Sequence, residues 1–118
     1  MIVCERWHYA TTAYQGAYEG TGRRASEEAL RTSSALATQG TEPDRAVLLD
    51  MPADDADDRV GDDKDRLEAR GDRYRRAVGE RFRAVFAEDP DTRRIVRADG
   101  SREDVAARVW EAVSDVLP

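Results

Sequence analysis

Tyr74, Ala77, Val78, Phe82, Val85 and Phe86 recur at spacings that place them on one side of a helix, running roughly from Arg66 to Glu88 and stopped by Pro90. An apolar stripe of that length needs a surface to cover. Two short apolar runs flank it in the sequence. Ala46-Val47-Leu48-Leu49 precedes it, bounded by Pro43-Asp44 and by Asp50 and Pro52, and Ile95-Val96 with Ala98 follows it. Apolar runs without polar alternation fit strands covered on both faces, as in parallel sheets. A helix between two such strands is the parallel crossover connection. The chain is therefore expected to be α/β.

The remaining segments extend that pattern. Ile2-Val3-Cys4 reads as a first strand, followed by a helix from about His8 to Tyr18 and a loop loosened by Gly16, Gly20 and Gly22. Ser26 suits the N-cap of a second helix that runs to about Thr38, with Leu30, Ser34 and Ala37 on one face and Gly40 at its C-cap. Ser101 and Asp104 form a capping-box-like start to a last helix. Val105, Val109, Ala112, Val113 and Val116 supply its buried face, with Trp110 beside them. The expected architecture is three short parallel strands with flanking helices, in one domain over residues 1–118, without internal repeats.

Hydrophobic residues make up 40% of the chain and charged residues 37%, which allows a core but a lean one. The net charge of −6 argues against nucleic acid or an acidic membrane surface as a partner. Lys64 is the only lysine, so arginine carries the positive charge. Arginine suits bidentate contacts to phosphate and carboxylate, though a compositional bias explains it equally well. One cysteine, Cys4, excludes an internal disulfide, and its place in an apolar run predicts a buried structural thiol. His8 is the only histidine, which excludes a histidine-rich metal site. There is no run of the ~20 apolar residues a membrane span needs and no basic-then-apolar leader. The simplest location is the cytoplasm.

The polar residues after the first apolar run carry the chemistry. Glu5 and Arg6 follow it directly, and Thr11, Tyr14 and Gln15 are three and four residues apart on the helix beyond. Ligands of parallel α/β sheets sit just past the carboxyl ends of the strands. An acid–arginine pair there can hold a metal-bound phosphate while the helix faces the ligand with Thr11, Tyr14 and Gln15. The acidic stretch Asp54 to Asp65 fails as a calcium loop. With Gly61 at the glycine position, Ala56 and Leu67 would stand where the first and last ligands are needed.

Glu5-Arg6-Trp7, Thr11 and Ala13-Tyr14-Gln15-Gly16 resemble motifs of the thymidylate kinase family. So do Leu48-Leu49-Asp50-Met51-Pro52, then Ala56 and Arg59 followed by Asp65-Arg66-Leu67-Glu68, the long helix with Tyr74, and Ala98-Asp99-Gly100-Ser101. These matches are collinear over nearly the whole chain. Glu5 departs from the family's aspartate, and the phosphate-loop pattern Gly-x-x-x-x-Gly-Lys-Ser/Thr is missing, since Lys64 precedes Asp65. The resemblance implies an incomplete P-loop nucleoside-monophosphate-kinase-like fold, matching the second half of such an enzyme, as a truncated reading frame or half of a split protein.

Phosphoryl transfer from ATP to dTMP in dTTP synthesis is the activity the resemblance implies, with Mg²⁺ and ATP as cofactors. It assigns Arg6 to the nucleotide phosphate, Glu5 to Mg²⁺ or its waters, Thr11 and Gln15 to the thymine edge, and Tyr14 to packing beside the nucleoside. Arg59 and Arg66 correspond to the lid arginines that approach ATP. The acidic segment between them reads equally as a solvated loop. Trp7 and Tyr9 are expected to pack rather than bind. Without a phosphate loop, the isolated chain is expected to be inactive. The alternatives are a non-catalytic nucleotide-binding or dimerisation module, half of a split kinase that pairs with a separately encoded N-terminal half, and another small nucleotide kinase. A homodimer through the second helix is the assembly the resemblance suggests.

Overall fold

The computed structural model describes residues 1–17, 26–52 and 66–118, with 66–70 described by backbone alone. Helix α1 spans His8–Gly16 and α2 spans Glu27–Thr38. Strand β1 follows at Ala46–Asp50, then α3 at Arg66–Ala87, β2 at Arg93–Arg97 and α4 at Arg102–Val113, ending in a 3₁₀ turn at Ser114–Val116. The strands β1 and β2 pair in parallel, with Leu48 opposite Ile95 and Asp50 opposite Arg97. The expected crossover, strand to long helix to parallel strand, is present.

The expected third strand is not. Among the described residues the sheet has two strands, and the segment of Ile2 and Val3 joins neither. Both side chains are exposed, as is Cys4, so the predicted buried thiol is corrected to a surface one. The physical reason is pairing: a strand is stable only when its N–H and C=O groups find a ladder. Ala46 N–H bonds Thr92 C=O and Ala98 N–H bonds Asp50 C=O. In a parallel ladder of that register Val47 and Leu49 turn their backbone groups to the opposite edge of β1. Among the described residues no strand lies there.

The core lies between α1, α3 and the sheet. Tyr9, Val85 and Phe86 are buried together, with Trp7, Ala46, Leu48 and Phe82 packed around them. The Tyr9 and Phe86 rings meet edge to face at 5.4 Å. Farther along α1, Ala13 and Ala17 bury against Val78, flanked by Tyr74, Ala77 and Phe82. Tyr9 therefore meets the late turns of α3 and Ala17 the earlier ones, so the two helices run antiparallel. The small side chains of Ala13 and Ala17 allow a close approach. All six residues of the predicted α3 stripe are in these clusters.

Helix α2 is capped by Ser26, whose Oγ accepts from Ala29 N–H at 3.1 Å. Its buried face is Leu30 and Ser34, while Ala37 is exposed, contrary to expectation. The left-handed turn that ends it begins one residue before the predicted cap, at Gln39 (φ 52°), and continues through Gly40 (φ 75°). Helix α4 shows the predicted capping box, with Asp104 N–H donating to Ser101 Oγ and Ser101 N–H to Asp104 Oδ2. Its apolar face is half covered rather than buried, and Trp110 is 63% exposed. Two strands offer too little sheet to cover it.

Candidate functional site

Helix α3 is longer than the strands it connects, and that difference in length shapes the site. Arg83, in its second-last turn, already pairs with Asp50 at the C-terminal end of β1. The helix begins at Arg66, so at about 1.5 Å per residue it projects on the order of 25 Å beyond the strand end. Helix α1 runs along this overhang. Tyr14 packs on it, its ring edge to face with Phe82 at 5.9 Å and 6.3 Å from that of Tyr74. Tyr74 Oη donates to the Tyr14 carbonyl at 3.1 Å. The late turns of α1 thus stand past the carboxyl end of β1, where parallel α/β sheets bind ligands.

Thr11 and Gln15 are exposed on α1, and Tyr14, 39% exposed, sits between solvent and the α3 aromatics. The opposite face, with Tyr9, Ala13 and Gly16, is buried. The polar residues predicted from spacing therefore share one open helix face. Gly16 is closely approached by Arg81 of α3. A Cβ at Gly16 would lie 2.6 Å from Arg81 Nη2, while Arg81 Nη1 pairs with Glu27 of α2 at 3.1 Å. This guanidinium lies at the C-terminal end of α1, where a cation complements the helix dipole.

Glu5 and Arg6 lie just before α1, both exposed. Arg6 adopts φ 67°, in the left-handed region, although it has a Cβ. Such a conformation costs energy in a non-glycine residue and is enriched at functional sites. Arg59 lies outside the described residues, as does the side chain of Arg66; only its backbone, at the start of α3, is described.

Two pairings near these residues had no sequence signal, although Asp50 itself stands in the Leu48–Pro52 motif. Glu42, between α2 and β1, lies 2.8 Å from His8 Nε2 and accepts from Tyr9 Oη at 2.9 Å. Burial pushes the Tyr9 hydroxyl's pKa up, and the Glu42 carboxylate adds to the rise. The Arg93 guanidinium, 4.6 Å above the Tyr9 ring, opposes it. The other pairing is Asp50 with Arg83. Arg83 Nε donates to both carboxylate oxygens, at 3.0 and 3.1 Å, and Nη2 lies 2.9 Å from Oδ1. The Asp50 carboxylate holds the Arg83 pKa above its ordinary value.

Among the described residues no group of three His, Cys, Asp or Glu side chains is placed to hold a metal ion, and no helix is long and apolar enough to cross a membrane. Tyr9 is buried and Trp7 partly so, in keeping with their predicted packing roles.

The fold and this site define an α/β crossover unit with a polar helix face past the carboxyl end of its parallel strands. Sequence comparison finds relatives of this chain. The chain is 39% identical to a thymidylate kinase of Rhizorhabdus wittichii over 121 aligned residues, covering 99% of this chain and 56% of the relative. It is 39% identical to that of Chromohalobacter salexigens, covering 98% and 54%, and 38% identical to one from a Synechococcus strain, covering 100% and 55%. The chain is homologous to the thymidylate kinases and spans about half the length of these relatives. No protein-family model matches it, and no solved structure does.

Proposed function

We propose that this chain carries the nucleoside-monophosphate side of a thymidylate kinase and binds dTMP across the exposed face of α1. The observation that carries this reading is the placement of Thr11, Tyr14 and Gln15 on one exposed face of α1, whose late turns stand past the carboxyl end of β1, in a chain homologous to thymidylate kinases. In this reading Thr11 and Gln15 hydrogen-bond the thymine edge, and Tyr14, braced by Phe82, packs beside the nucleoside. Arg6 takes the phosphate. Its guanidinium makes no hydrogen bond to another described residue, and its strained backbone fits a side chain placed for use rather than for packing.

Mg²⁺ in such sites is usually held by one or two carboxylates, with waters and substrate phosphates completing the shell. The lone exposed Glu5 fits that arrangement, supplying one carboxylate or holding a metal-bound water. The metal would neutralise charge on the transferred phosphoryl group. Arg59 and Arg66 remain the proposed contacts to ATP.

Acceptor binding does not require phosphoryl transfer. The 118 residues lack the phosphate-loop sequence and span about half of their relatives. We therefore propose that these 118 residues by themselves bind dTMP without turnover. Calorimetric titration with dTMP and AMP, alongside an ATP-dependent phosphorylation assay, tests both statements. The expected result is dTMP binding in preference to AMP, weakened by Arg6→Met and Gln15→Ala, with no turnover above a heat-treated control. Equal affinity for AMP would point to another nucleotide-kinase specificity, and turnover by the chain alone would overturn the non-catalytic reading.

A further inference from the structure

We propose that Arg83 is an anion-binding residue of this site, positioned by Asp50, and that it contacts the phosphate of the bound nucleotide. The inference rests on the reading above for the identity of the ligand, but its geometry stands independently. Asp50 closes β1 at the carboxyl end of the sheet. It grips Arg83 through Nε and Nη2, with three contacts of 2.9 to 3.1 Å, so the guanidinium plane is fixed by a carboxylate from a different element. Nη1 takes no part in these contacts, and the Arg83 side chain is 42% exposed.

A guanidinium held on one side and open on the other is prepared for an oxyanion, because its orientation is settled before the ligand arrives. Other arginines near the strand ends are arranged differently. Arg97 pairs with Asp99, two residues away on its own segment, and Arg108 Nη1 is spent on the Arg97 and Asp99 carbonyls. Arg83 also adjoins the proposed nucleoside face. Phe82, its neighbour in sequence, packs against Tyr14. One turn of α3 therefore touches both the strand-end carboxylate and the helix that would hold the base.

The test is calorimetric titration of the full 118-residue chain and of Arg83→Leu and Asp50→Asn with three probes: dTMP, thymidine and inorganic pyrophosphate. Arg83→Leu is expected to weaken dTMP and pyrophosphate about tenfold, as for loss of a charged hydrogen bond, while thymidine affinity stays unchanged. Asp50→Asn is expected to weaken the same two probes by a few fold, because the guanidinium loses its anchor but keeps its charge. A merely structural role would change thymidine binding equally. Unchanged anion affinity in Arg83→Leu, or no pyrophosphate binding by the unmodified chain, would overturn the proposal.

If Arg83→Leu fails to fold, Arg83→Lys decides. A lysine keeps the charge but cannot form the fork, so undiminished pyrophosphate affinity there would also overturn the proposal. Arg83-dependent pyrophosphate binding without dTMP binding would refute the thymidylate reading and the contact to a dTMP phosphate, and leave Arg83 standing as an anion-binding residue.

Discussion

Replacing Ala13 by leucine tests how the proposed nucleotide face is held in place. Ala13 is completely buried, and it meets Val78 where α1 crosses α3, with Phe82 beside them. A leucine adds three carbons where solvent-accessible space is absent. Either the two helices separate or neighbouring side chains leave their preferred rotamers, at a cost of about 1–3 kcal/mol. Taking ~2 kcal/mol and a urea m-value of ~2 kcal/mol/M for so small a chain, the denaturation midpoint should fall by about 1 M. Thr11→Leu places the same side chain on the exposed side of the same helix and should change stability by no more than ~0.5 kcal/mol. The assay is urea unfolding followed by circular dichroism, with dTMP titration of each folded variant. The account expects Ala13→Leu to lose both stability and dTMP affinity. An unchanged midpoint for Ala13→Leu would refute the close α1–α3 packing on which the site depends.

Two further predictions concern groups whose protonation is tied to the fold. Tyr9→Phe removes the hydroxyl that donates to Glu42 and should cost about 0.5–1.5 kcal/mol at neutral pH. Because the Tyr9 pKa is raised in the folded state, its share of stability is complete below the unfolded value of about 10 and is lost as pH rises through the folded one. Alkaline unfolding of Tyr9→Phe should lack that step. Asp104 is the opposite case: the Ser101 backbone N–H, then its hydroxyl, hold the carboxyl below its usual range. Its contribution is present above the unfolded value of about 3.9 and lost as pH falls through the folded one. Asp104→Asn should flatten the acid limb of the α4 unfolding curve, and an unaltered limb would contradict the role of the capping box.

The α3 stripe and the Ala46–Leu49 run were legible because each is a local pattern with one economical explanation. A helix-period face and a non-alternating apolar run require each other. The caps at Ser26 and Ser101 were legible for the same reason: an oxygen three residues before an orphan N–H is a sequence-local arrangement. Ile2-Val3-Cys4 misled because an apolar run states a preference for burial but not the presence of a partner strand. The α4 face misled in a similar way, since its valines are apolar whatever sheet area is available to cover them. In the site, Thr11, Tyr14 and Gln15 could be placed on one face from spacing alone. The Asp50–Arg83 pair could not, because its members are 33 residues apart and Arg83 stands in an arginine-rich helix with nothing to single it out. The same holds for Glu42, whose link to His8 and Tyr9 exists only once α1 has docked.

A residue-resolved amide NMR titration of the 118-residue chain with dTMP tests the central claim most directly. The account predicts saturable shifts centred on Arg6, Thr11, Tyr14 and Gln15, extending to Arg83, with far smaller shifts when AMP is added. A dispersed spectrum with no response to dTMP, or shifts confined to α4 and β2, would contradict it.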